Sequence, residues 1–140
     1  MPITKILKKT CDNQVEQKSI SLAPQELLIQ GYGDGGFTIA NQKLVGSICI
    51  LSERVNSWPI NSFIEIKTSS FNEIIKQEGG IEILLIGCGS TSEKGITKVN
   101  KKLLSYGIAS EWMSTGAACR TFNVLLSERR PVAAALIAVE

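Results

Sequence analysis

Two runs of small and hydroxyl residues in this sequence have the makings of a ligand-holding surface. One is Gly87-Cys88-Gly89-Ser90. The other is Ser114-Thr115-Gly116-Ala117-Ala118, with Arg120 just beyond it. The second run opens a helical pattern. A helix start has N–H groups without intrahelical partners and a positive dipole end, so it favours an anion or a carbonyl oxygen. Small residues leave those N–H groups uncovered. Gly116, Arg120, Asn123 and Ser127 recur at helical spacing and share one face. Arg and Asn there suit a carboxylate or phosphate. They equally suit the backbone carbonyls of the glycine-rich segment Tyr32–Gly36. The candidate ligand-binding residues are Gly87, Cys88, Gly89, Ser90, Ser114, Thr115, Gly116, Arg120 and Asn123.

The same residues exclude much chemistry. The chain has no histidine, so no Ser-His or Cys-His couple, histidine base or histidine metal ligand exists in it. No catalytic residue is assigned. Gly87-Cys88-Gly89 lacks the third glycine of a dinucleotide loop, and Lys94 precedes Gly95, which breaks the order of a phosphate-binding P-loop. Gly87 and Gly89 also suit a tight strand-to-helix turn with no ligand. Cys88 sits where a helix start can lower a thiol pKa, although packing is the ordinary role of such a residue, and of Cys119. The four cysteines form no C-x-x-C pair. That gives no zinc or dithiol motif and points to a reducing, cytoplasmic setting. Neither a metal nor a cofactor is expected.

Composition narrows the class further. The 140 residues fit one domain, 44% are hydrophobic, and the net charge is +2. That charge is too small to argue for nucleic acid. The lysines at 5, 8 and 9 and at 94, 98, 101 and 102 read as solvated faces. The longest apolar run, Val132 to Val139, is far shorter than the ~20 residues of a membrane-spanning helix. The basic start MPITKILKK has no apolar stretch behind it and reads as no signal peptide.

The elements that must position these runs follow from periodicity. Residues 1–18 read as a loosely held polar arm, and 19–140 as the folded domain. A first strand is expected near Ser19–Leu22 and a second from Leu27. A glycine-rich turn or bulge follows at Gly31–Gly36. Strands are then expected at Phe37–Ile39 and, unbroken, at Leu44–Leu51, which makes the front half an antiparallel meander. Phe63–Ile66 reads as a short strand. Ser70-Phe71-Asn72-Glu73 reads as a capping box for a helix ending at Gly79-Gly80. Thereafter strand and helix alternate. Strands are expected at Ile81–Ile86, Ile108–Met113 and Pro131–Val139, and helices at Thr97–Tyr106 and Thr115–Ser127. This order predicts an α/β fold in three layers: a central mixed sheet, helices on its faces and an added antiparallel β layer. The two candidate loops leave strands at the carboxyl edge, where ligands bind in open α/β sheets. Neighbouring strands would set them across a crevice.

The combination of Gly31-Tyr32-Gly33, Gly36-Phe37, Trp58, Ile86-Gly87-Cys88-Gly89 and above all MSTGAACRTFNVLLSERRPVAAAL, from Met113 to Leu136, resembles the family called domain of unknown function 498. The resemblance covers roughly residues 20 to 140. That family includes a mitochondrial assembly factor of respiratory complex I. The resemblance implies the three-layer fold. It also implies a non-catalytic role among complex I subunits or assembly proteins, in a bacterial, cytoplasmic member peripheral to the inner membrane. It supplies no catalytic residues.

Overall fold

A computed structural model describes residues 19–76 and 80–140. The arm expected over 1–18 and the stop expected at Gly79 lie outside them. Among the described residues, nine strands form two sheets. They are β1 (Ser19–Ser21), β2 (Ile29–Gly33), β3 (Gly36–Ile39), β4 (Gln42–Val45), β5 (Ile48–Leu51), β6 (Arg54–Ser57), β7 (Ile83–Gly87), β8 (Ala109–Met113) and β9 (Val132–Leu136). The helices are α1 (Asn72–Lys76), α2 (Thr97–Ser105) and α3 (Thr115–Ser127). The large sheet has the order β1-β6-β5-β9-β7-β8, and the small one β2-β3-β4. Strands β7, β8 and β9 are parallel, while β5 runs antiparallel to β9. The sheet is therefore mixed, as the element order predicts.

Alternation along the central strands divides the core. Leu84, Ile86, Ala133, Ala135, Cys49 and Leu51 face one side, packing with Phe71, Ile74, Val99 and Leu103. Leu85, Ala134, Leu136, Ile48 and Ile50 face the other, against Phe37, Ile39, Leu44 and Phe122. Thus α1 and α2 cover one face, and α3 with the small sheet covers the other. The alanines of β9 suit a strand pressed from both sides by larger groups. Against the edge strand β8, Asn100 fixes α2: its Oδ1 accepts from Trp112 Nε1 (2.7 Å) and Ser110 Oγ (2.6 Å).

Three local expectations are corrected, and one strand is added. The run Leu44–Leu51 is two strands in different sheets. The chain bends at Gly46, where φ is +91, and Ser47 turns it from one sheet into the other. Ser47 O accepts from Trp58 N–H, and its Oγ accepts from Ala138 N–H. Phe63–Glu65 is a 3-10 turn, not a strand, because the Glu65 carboxylate takes the Asn61 N–H (2.8 Å) and closes the chain locally. Ser70 does not cap α1; its Oγ accepts from Lys67 N–H and starts a 3-10 turn over Thr68–Phe71. Strand β6 carries one apolar residue inside, Val55, too few for alternation to register. It forms by pairing with β5 across Ser52-Glu53.

Candidate functional site

The two candidate loops leave β7 and β8, which are hydrogen-bonded neighbours. They meet directly. Thr115 N–H donates to Gly89 O (2.8 Å), Gly89 N–H donates to Thr115 Oγ1 (3.0 Å), and Cys88 N–H donates to Met113 O (2.8 Å). Thr115 Oγ1 also donates to Ile137 O (2.7 Å), and Thr115 is fully buried. One hydroxyl therefore ties the ends of β7, α3 and β9 together. Gly87 lies beneath this knot: an added Cβ would sit 3.0 Å from both Thr115 Cα and Leu136 Cδ2. Its small size serves close packing. At Gly87 and Thr115 the two loops are thus in direct contact, with no room for a ligand between those two residues.

The helix start is also less open than its composition implies. Ser114 is the N-cap, its Oγ accepting from Ala117 N–H (3.3 Å), and its carbonyl accepts from Ala118 N–H. With Thr115 N–H given to Gly89, the Gly116 N–H alone of these first four lacks an acceptor among the described residues. Above it lies Tyr32. An added Cβ on Gly116 would fall 2.5 Å from the Tyr32 hydroxyl, so the aromatic ring from β2 rests on the glycine. Arg120 Nη1 donates to that hydroxyl at 3.4 Å.

Asn123 has a different role from the expected one. Its Oδ1 accepts from Ile29 N–H and its Nδ2 donates to Ile29 O, both at 2.8 Å. This two-point clasp holds the start of β2 to α3, upstream of the Tyr32–Gly36 segment. One donor and one acceptor of the amide are spent on the backbone.

What opens beside the loops is a shallow cleft of ≈ 670 Å³. Cys88, Gly89, Ser90, Ser114, Gly116 and Arg120 reach it; Gly87, Thr115 and Asn123 do not. Its other walls, Tyr32, Phe63, Glu93 and the stretch Ile137–Glu140, come from elements distant in sequence. The only sequence signal for them is the aromatic between the glycines at 31 and 33. Arg120 is the cleft's cation, and Glu93 and Glu140 oppose it with carboxylates, so no single sign of charge dominates. Burial pushes the Cys88 thiol up, against a smaller opposing pull from the Glu93 and Met113 backbone. Its Sγ points at Ile86 O (3.7 Å). A protonated, buried thiol is a poor nucleophile. Burial likewise raises Cys119, to about 12, despite the neighbouring Arg120. Among the described residues, no three His, Cys, Asp or Glu side chains gather to hold a metal. No helix there is long and apolar enough to cross a membrane.

Comparison with known proteins adds a second line. The family model described as "Protein of unknown function (DUF498/DUF598)" matches residues 29–137. The chain is 34% identical over 130 residues to the NADH dehydrogenase (ubiquinone) 1 alpha subcomplex assembly factor 3 of Danio rerio, covering 90% of this chain and 75% of that protein. It is 36% identical over 114 residues to the protein of the same name from Rattus norvegicus, covering 81% of this chain and 62% of that protein. The match thus spans three quarters of the first relative's length and less than two thirds of the second's. A crystal structure of an outer membrane protein from Bartonella henselae superposes with a TM-score of 0.77 at 36% identity, covering 82% of this chain and 97% of that one.

Proposed function

The chain belongs to the DUF498/DUF598 family, and from that premise we propose that it acts as an assembly factor for the respiratory NADH dehydrogenase, complex I. It works through protein contacts and not by catalysis. The observation that carries this reading is the similarity to assembly factor 3 proteins along 90% of the chain. The geometry is consistent with it. Thr115, Gly87 and Asn123, the polar and small residues with the look of a site, are spent on joining the chain's own elements. Its proposed setting is the cytoplasm, peripheral to the membrane that holds the enzyme.

Deleting the gene in the native cell tests this. Assembled NADH dehydrogenase should fall, and membrane-arm intermediates should co-purify with the tagged protein. Normal enzyme levels in the deletion strain would end the assembly reading.

The second reading is an anion site in the cleft. It is favoured by Arg120 lining the same cleft as Gly116, whose N–H has no acceptor among the described residues. Thermal-shift measurements with phosphate, nucleotides and acyl compounds decide it. A ligand that stabilises the wild type but not Arg120→Ala supports the site; equal responses remove it.

A further inference from the structure

Helix α2 has a polar inner side fixed to β8 by Asn100 and an apolar side, Val99 and Leu103, buried in the core. Its outward face is unlike the rest of the surface. Lys98 and Lys101 are exposed on it, Lys94 lies exposed just before it, and no acidic residue occurs between 94 and 105. Lys102 is tied back, with Nζ donating to Thr68 O and Asn72 Oδ1. For Lys94, Lys98 and Lys101, no ion pair or hydrogen bond is present among the described residues. At the end of the helix, Leu104 is 66% exposed and Tyr106 59%.

Lysines three and four residues apart on one helix repel each other, and helices ordinarily relieve this with interleaved carboxylates. Here the chain supplies none. Lys98, Lys101 and Leu104 follow one another at three-residue steps and so form one row, and a run of positive charge ending on an uncovered leucine has the make-up of half an interface: an apolar anchor with charges that steer and orient the partner.

We propose that the outward face of α2, from Lys94 through Lys98 and Lys101 to Leu104, is a docking surface for an acidic protein segment that seats an apolar side chain on Leu104. This deepens the assembly reading and rests on it for the partner's setting. A lipid surface fits less well. A helix lying on a membrane turns its apolar face to the lipid, and the apolar face of α2 is already buried in the core. Nucleic acid fits less well too, because the chain's net charge is only +2.

The test uses the full chain and a synthetic peptide of repeated Glu-Glu-Leu-Glu, followed by backbone amide shifts. Shifts confined to Lys94–Tyr106 are expected. Binding should weaken about tenfold or more in K98E/K101E, because like charges then face each other, and survive in K98R/K101R. Leu104→Ser should weaken it without changing its salt dependence. The surface is overturned by shifts elsewhere, by equal binding to K98E/K101E, or by stronger responses of the same residues to phosphatidylglycerol vesicles or heparin. In cells, the deletion strain separates the two ideas. A deletion that lowers NADH dehydrogenase while K98E/K101E restores it fully overturns the surface and leaves the assembly role standing. A deletion without effect ends the assembly role, and the peptide result still decides the surface.

Discussion

The ring of Tyr32 rests on Gly116, with its hydroxyl 2.5 Å from where a β-carbon on that glycine would stand. Two motifs far apart in the chain, the glycine-flanked tyrosine of β2 and the small-residue start of α3, are thus one contact. The tyrosine shields the helix start and meets Arg120, and the glycine makes room for it.

That fit predicts a dependence of one residue on the other. Gly116→Ala should cost about 1–3 kcal/mol, since the ring must move. In a Tyr32→Ala background the same change should become neutral or slightly stabilising, because alanine exceeds glycine in helix propensity by about 1 kcal/mol. Urea denaturation of the four proteins measures this coupling. Additive effects would refute the contact's importance.

Thr115→Val keeps shape and removes the hydroxyl that bonds Ile137 O and Gly89 N–H. It should destabilise by about 1–3 kcal/mol per buried group left unpaired. Thr115→Ser, which retains the hydroxyl, should lose less. The order of the two midpoints in guanidinium chloride checks the assignment.

Asn123→Ala opens both arms of the clasp on Ile29. A loss of about 2–3 kcal/mol is expected, from two hydrogen bonds and the unpaired backbone they leave. Hydrogen exchange should quicken at Ile29 and its neighbours in β2 before it does in the large sheet. Any anion-induced thermal shift should remain, because Asn123 does not reach the cleft.

Stability should fall at alkaline pH. The Cys119 thiol is raised from 9.0 to about 12 by burial. Between those values the unfolded chain has lost a proton that the folded chain retains, so unfolding becomes easier as pH rises. Stability from this thiol is fully present below pH 9.0 and is lost upward through about 12. The slope for one such group is about 1.4 kcal/mol per pH unit. Cys119→Ala should flatten the stability curve over that window, measured against wild type in urea.

The fold is legible where local chemistry and packing agree. Helix α3 ends where its signals put it, because Ser114 caps one end and the stripe Ala118, Phe122, Leu125, Leu126 runs to the other. The break between β4 and β5 is not legible. Leu44–Leu51 alternates without interruption, and the switch of sheet depends on a bond from Trp58 to Ser47, which no local pattern records. The site divides in the same way. That two strand-end loops meet follows from βαβ order. That Thr115 fills their junction depends on the end of β9 lying beside it, and that Tyr32 meets Gly116 and Asn123 faces Ile29 is settled by a second sheet whose docking is invisible to periodicity.

The strand order has a temporal consequence. Strand β9 lies between β5 and β7, yet it is the last strand in sequence. Without β9, the β1-β6-β5 group and the β7-β8 pair share no strand, and each would present an unpaired inner edge. Val132–Leu136 alone joins them, pairing with β5 on one side and β7 on the other. Exposed inner edges invite wrong partners. A folding chain that has formed both groups but not yet seated β9 is therefore the species most open to wrong pairing.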